Sequence, residues 1–331
     1  MTHGFSEFHD ELRSVAGDLL AKDRVVDWSV LVDAGWTGLE VPDGLGGSGA
    51  TFVETAMILD QIGRAASANR YLGSAVLAVG VLNLLETSEI RDELLTAVAS
   101  GPGRLGVATD GFAVNGGRLA GRAGFVPDAV GADRLLVLVD GAVAVVDAAQ
   151  MSVVPQPVVD ETRQLATVTA EAAEIAELLT LAGDPASVRH RAEVAIACDS
   201  LGLAEQMLAA TVDYVLVRHQ FGRPIGSFQA VKHACADMLV AIEVSRRLVS
   251  DAVGVLAEGG DAATQAAMAK SHACSAAVDV AGKAMQLHGG IGYTWESGIH
   301  VYLKRATLNR ALFGSPAAQR KRLSQRYSKG I

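Results

Sequence analysis

Helical spacing of apolar residues occupies both ends of this chain and fails in the middle. That single interruption dictates a helix–β–helix order. Phe8, Leu12, Val15 and Leu19 recur at helical spacing, and Phe52, Ala56, Leu59 and Ile62 do so again. Between them lies a turn-rich link, Gly35-Trp36 through Val41-Pro42 to Gly46-Gly47-Ser48-Gly49. Ser100-Gly-Pro-Gly103 closes the first helical region, and short β-like runs follow at Leu105–Ala108, Arg134–Val139, Val143–Val146 and Ala166–Thr169. Glu171 to Gly183 reads as a loosely packed connector. Asp184 and Pro185 then suit a cap and a first helical turn, and helical periodicity returns to the end. Ala-rich helices with few aromatics pack closely, as in a bundle. The expected class is α+β, mainly α, with a helical domain at 1–103, a small β domain at 104–182 and a helical bundle at 183–331.

At 331 residues and 50% apolar content the chain has material for two or three cores. Its 28 Lys and Arg against 37 Asp and Glu give a net charge of −9, which speaks against nucleic acid as a partner. Cys198, Cys235 and Cys274 form no Cys-x-x-Cys pair and sit in Ala-rich helical stretches, so a reducing, cytoplasmic setting fits. The N-terminus from Met1 has no basic region followed by an apolar run, so no secretory signal is read there. Tyr71 to Leu85 is too short and too polar to cross a bilayer and reads as a buried helix, so no membrane partner is expected. His233, His272 and His288 lack a second ligand at helical spacing, so no metal site is expected. Ser48, Ser200 and Ser315 lack a nucleophile elbow. The mean charge conceals a division: from Val301 onward there are eight basic residues and no acid, so the first 300 residues carry 20 basic against 37 acidic residues, or −17. The basic end is either a solvated helix face or a docking surface for an acidic partner or for phosphates.

Two stretches carry candidate chemistry. Arg218-His219-Gln220-Phe221-Gly222-Arg223-Pro224-Ile225-Gly226-Ser227-Phe228-Gln229 breaks a long helical pattern and sets an arginine and an aromatic ring together at the bend. It is either a nucleotide corner, with Arg218 on a phosphate and Phe221 on an adenine face, or a polar turn between helices. Gln286-Leu287-His288-Gly289-Gly290-Ile291-Gly292-Tyr293 ends the helix that begins near Ala262. Its glycines allow close backbone approach to an anion, while a plain helix C-cap gives the same letters. No Walker lysine follows, and no strand precedes it.

Taken together with Gly35–Gly49, these stretches resemble the acyl-CoA dehydrogenase family over nearly the whole chain: a Gly-Trp, Pro, Gly-Gly-x-Gly signature, an Arg-x-x-Phe-Gly-x-x-Ile-x-x-Phe-Gln corner and a Gln-x-x-Gly-Gly-x-Gly loop, in that order. The resemblance implies an N-terminal helical domain, a middle β barrel, a C-terminal four-helix bundle, and FAD held at a subunit interface. It further implies that Arg218, Gln220, Phe221, Gln286, Gly289 and Gly290 contact the adenine and pyrophosphate of a neighbouring subunit's FAD. Acyl-CoA would be the substrate and electron-transfer flavoprotein the electron acceptor.

The family removes an α-proton with a glutamate and passes the β-hydrogen to flavin. Where one family position for that base would fall, this chain has Phe313, and phenylalanine accepts no proton. The other position, counted back from Leu201-Gly202-Leu203, falls on Ala192, with Glu193 one residue beyond. One residue is about 100° of helix rotation, so Glu193 serves as base only through a shifted register. Its plain reading is an exposed carboxylate near a helix start, favoured by the macrodipole. Asp199 reads as structural. The family's flavin-ring loop is replaced by Thr109-Asp110-Gly111-Phe112, its tryptophan strand by Arg122-Ala123-Gly124-Phe125-Val126-Pro127, and a further flavin-side glutamine by Ala317. Own-flavin contacts are depleted while contacts to a neighbour's flavin are kept. The resemblance is therefore to the short, non-catalytic-type subunit of actinobacterial heteromeric (α2β2) enzymes that shorten steroid side chains. The competing readings are a complete homomeric dehydrogenase using Glu193, a scaffold without flavin contact, and a nucleotide-binding protein.

Overall fold

The computed structural model describes residues 2–328, with side chains described for 8–325, so Met1 and Lys329 of the basic end lie outside the described residues. The first region holds helices α1 (Thr2–Leu20), α2 (Trp28–Asp33) and α3 (Phe52–Ala65), then a π-helix at Tyr71–Ala78 running into α4 (Val79–Leu82), and α5 (Glu89–Ser100). Eight strands follow: β1 (Leu105–Ala108), β2 (Phe112–Asn115), β3 (Arg118–Pro127), β4 (Arg134–Val139), β5 (Ala142–Asp147), β6 (Ser152–Pro155), β7 (Leu165–Glu174) and β8 (Glu177–Thr180). The chain ends with α6 (Ala186–Val217), a two-residue-stranded hairpin β9 (His219–Gln220) and β10 (Arg223–Pro224), then α7 (Gln229–Ala257), α8 (Ala263–His288), α9 (Ile299–Ala311) and α10 (Pro316–Ser328).

By compactness the chain forms two units. One comprises the residues up to Arg24, Ala56–Ser67 and everything from Glu193 onward; the other comprises Val25–Thr55 and Ala68–Ala192. Among the described residues no helix is long and apolar enough to cross a membrane.

In the second unit the strands make two four-stranded sheets, ordered β1-β4-β5-β8 and β2-β3-β7-β6. Only β1 and β4 pair in parallel within them. Both sheets turn apolar side chains into one core, Leu135, Val137, Ala144 and Val146 from the first and Leu119, Ala166 and Val168 from the second. The stretch read as a connector is strand over most of its length: its first residues finish β7, which runs to Glu174 and pairs with β3, and β8 pairs with β5 and buries Leu179. Its polar flanks hid it, because a strand buried on one face needs only alternate apolar residues. The buried segment from Tyr71 is a π-helix for its first eight residues rather than a uniform α-helix.

In the first unit α8 is central and packs against α7, α9 and α10. Alanines 266, 269, 273, 277, 281 and 284 line its buried side. The helix α1 departs from the expected stripe: Phe8 and Val15 are exposed, and Ala16 and Leu20 are buried instead. Close packing favours the small residue. A Cβ on Gly63 of α3 would lie 2.0 Å from the Asp199 carbonyl oxygen of α6, and one on Gly202 of α6 would lie 2.0 Å from that of Asp60 on α3. Each helix therefore presents a glycine to the other's backbone, and no side chain fits between them. Behind this crossing Arg305 of α9 donates Nε and Nη2 to the fully buried Asp199 carboxylate at 2.5–3.2 Å and Nη1 to the Ser67 carbonyl at 2.9 Å. Asn309 adds its Nδ2 to Asp199 at 2.6 Å. Asp199 is structural, as its place in the sequence suggests.

Candidate functional site

The corner after α6 is built as a tight hairpin. The strands β9 and β10 pair antiparallel, Gln220 opposite Arg223, and leave a two-residue turn at Phe221 and Gly222. Both turn residues have positive φ, +53° and +75°. Hairpin turns of two residues need that handedness, which glycine adopts freely and phenylalanine does not. The strain is local to a ring that is 90% exposed. Phe228 supports it from the edge, with ring centroids 6.1 Å apart, and Arg223 lies 4.0 Å over the Phe228 ring. The Ile225 N–H donates to the Arg218 carbonyl at 2.8 Å, which closes the corner. Arg218 and Gln220 are exposed, and their side chains make no bond to the described protein.

The glycine loop begins where α8 stops. Gly289 adopts φ 63°, ψ −142°, a conformation open to glycine alone, and its N–H donates to the Gln286 carbonyl. That amide is spent within the loop, as a helix C-cap would have it, so any close backbone approach to an anion rests on the other glycines. Gly290 has no positive φ, and a Cβ there would meet nothing within 4 Å. Neither backbone nor crowding demands glycine at 290, so the missing side chain leaves open space on the loop's outer side. Lys283, one turn earlier, donates to the Gln286 Oε1 at 3.3 Å and so turns the Gln286 amide with its NH2 unspent.

Tyr214 joins the two motifs, and the sequence reading overlooked it. Its hydroxyl donates to the His288 carbonyl at 3.3 Å, and its ring stacks on the His288 ring with centroids 4.3 Å apart and planes 20° from parallel. Its own carbonyl accepts the Arg218 N–H at 2.9 Å. The signal was present: Tyr214 stands one helical turn before Arg218, on the face that leads into the corner.

The donors gathered here fit the pyrophosphate and adenine of a dinucleotide. A guanidinium, two side-chain amides and an exposed aromatic face are the groups such a ligand needs, and Gly290 leaves room for it to approach. Phe221, Gln220 and Arg218 share the hairpin, while Gln286, Gly289 and Gly290 share the loop.

The candidate bases stand elsewhere in the same unit. Glu193 is fully buried, which corrects its reading as an exposed carboxylate; it lies two turns inside α6 and faces α10. Its Oε1 accepts from Gln319 Nε2 at 3.0 Å and Arg322 Nη1 at 2.5 Å, while Oε2 has no hydrogen-bond partner. Phe313 has φ +54° in the turn between α9 and α10, and its carbonyl accepts a bond from Gln319 at 3.1 Å. The fully buried Lys270 donates to the carbonyls of Asn309 at 2.9 Å and Gly314 at 3.2 Å, which caps α9 and fixes the turn. Burial raises the Cys274 thiol above its ordinary range, a helical turn from that lysine.

Comparison with known proteins supplies the context. The acyl-CoA dehydrogenase C-terminal domain matches residues 190–328 and the acyl-CoA dehydrogenase N-terminal domain matches residues 7–102. Acyl-CoA dehydrogenase IpdE2 of Mycobacterium tuberculosis is 33% identical over 308 residues, 92% of this chain and 88% of that protein. A chain of the ChsE4–ChsE5 complex from Mycobacterium tuberculosis superposes with a TM-score of 0.88 at 26% identity, covering 98% of each chain. A variant of the Tcur3481–Tcur3483 steroid ACAD gives 0.87 at 26% identity, over 98% of this chain and 99% of that one.

Proposed function

Because the chain belongs to the acyl-CoA dehydrogenase family, we propose that it is the non-catalytic subunit of a heteromeric FAD-dependent enzyme that introduces an α,β double bond into an acyl-CoA thioester. Its part is to lend the Arg218 corner and the Gln286 loop to the FAD of a homologous catalytic subunit. When bound, FAD supplies the acceptor for the hydrogen that leaves the β-carbon. Arg218, Gln220 and Gln286 would hold the pyrophosphate through charge-assisted and amide hydrogen bonds. Phe221 would cover an adenine face, and Gly290 would let the ligand approach the loop.

One observation carries the reading. A phenylalanine ring 90% exposed, held in a left-handed turn beside an arginine without a protein partner, is accounted for when another molecule covers it. Phe313 has no carboxylate, and the buried Glu193 spends Oε1 on Gln319 and Arg322, with Oε2 alone unpartnered, a contact that fits a structural ion pair between α6 and α10. The ChsE4–ChsE5 structure is a complex of two differently named components, which supports the heteromeric arrangement. The acyl group would be a steroid side chain, in keeping with the steroid ACAD among the similar structures, and, as the family resemblance implies, electron-transfer flavoprotein would reoxidise the flavin. The division at 1–103, 104–182 and 183–331 would assign the corner and loop to the bundle domain. Three free cysteines suit a cytoplasmic setting.

The test is flavin content. Arg218→Ala, co-expressed with a homologous catalytic subunit, is expected to yield a folded complex depleted of flavin. Full flavin occupancy in that variant would overturn the assignment.

A further inference from the structure

We propose that Tyr214 is a positioning residue that sets the separation between the Arg218 corner and the Gly289–Gly290 loop, and through it the affinity for the shared dinucleotide. The inference rests on the functional reading above. The two elements sit at the C-terminal ends of two long helices, α6 and α8, where the last carbonyls have no intrahelical donor and the chain frays. The Tyr214 side chain removes that freedom at the end of α8, its hydroxyl donating to the carbonyl of His288, the last residue of that helix, and it does so from the last turn of α6, where its own carbonyl takes the Arg218 N–H in the ordinary helical pattern.

The bonds form one continuous series. The His288 carbonyl takes the Tyr214 hydroxyl, the Tyr214 carbonyl takes the Arg218 N–H, and the Arg218 carbonyl takes the Ile225 N–H. It runs from the glycine loop to both arms of the hairpin without leaving protein atoms. The near-parallel Tyr214–His288 stack adds a second constraint, because it fixes the ring that carries the hydroxyl. His288 is held in turn, its Nδ1 2.8 Å from the Ala284 carbonyl. A ligand that touches both elements gains from finding their spacing already set, since the ordering cost is met on folding. Tyr214 itself need not touch the ligand.

Tyr214→Leu removes hydroxyl and stack together, while Tyr214→Phe keeps the stack. In the assembled complex, Tyr214→Leu is expected to weaken FAD binding roughly tenfold, with Tyr214→Phe falling between it and the wild type. Amide hydrogen exchange is the second readout. It should quicken in Tyr214→Leu at residues 218–225 and 289–293 and stay unchanged in the rest of the bundle. Unchanged FAD affinity in Tyr214→Leu, or exchange that quickens evenly across the bundle, would overturn the proposal and leave Tyr214 an ordinary packing residue. Should the wild-type complex hold no FAD, the functional reading falls, and local against uniform exchange alone decides whether Tyr214 positions the two elements.

Discussion

Glu193 and Arg322 form an ion pair, Oε1 to Nη1 at 2.5 Å, in which the carboxylate is fully buried and the guanidinium reaches inward from α10. The pair fastens the last helix to α6. Glu193→Gln should leave turnover by the assembled complex within about twofold of wild type while lowering its unfolding free energy by about 1–3 kcal/mol, the cost of an unmatched partner. Paired steady-state kinetics and thermal melts read both. A loss of turnover by orders of magnitude without a matching loss of stability would identify Glu193 as a base.

The Arg305–Asp199 pair is the opposite kind of contact, with both side chains 1% exposed. Asp199→Ala strands a buried guanidinium, which costs about 3–5 kcal/mol. The variant is expected to accumulate as insoluble protein, while Arg247→Ala, which touches only the exposed Asp251 at 3.3 Å, behaves as wild type. Soluble yield and melting temperature of the two variants make the comparison.

Phe221 contributes little to the fold of the lone chain, being 90% exposed. Phe221→Ala should therefore melt at the wild-type temperature, or slightly above it once the left-handed strain falls on a smaller residue. Flavin retention by the complex should fall. Retained flavin with lowered stability would make the ring a packing residue.

Among the described residues Arg310, Arg320 and Lys321 are exposed and carry no ion pair. If this face docks an acidic surface of the partner, Arg320→Glu combined with Lys321→Glu should weaken the complex and flatten its salt dependence, since salt screens attraction between exposed charges over a Debye length of about 10 Å at 0.1 M. Dissociation constants at low and high salt decide it; identical salt slopes for variant and wild type would make these residues a solvated face.

The sequence was legible wherever local pattern and local structure agree. Leu105–Ala108 and Arg134–Val139 are strands over the very residues their apolar runs marked, and α8 begins one residue after Ala262. It misled where long-range packing chose the face: α1 buries Ala16 rather than Val15. Glu177–Thr180 pairs with β5 through an alternation too short to read. The corner and loop were visible as motifs because glycine, proline and arginine at fixed spacing leave a local signature. Tyr214, Lys270 and Gln319 were not. Their roles come from partners 74, 39 to 44 and 126 residues away, and no window of sequence contains both ends of such a bond.

The central claim is that this chain completes a flavin site held by another subunit. Its most direct test is the flavin absorbance of the purified chain alone against that of the chain co-purified with its catalytic partner. A colourless lone chain without turnover and a yellow, active complex holding roughly one FAD per pair of unlike subunits are expected. A lone chain that is yellow, fully occupied and active on an acyl-CoA would contradict the claim.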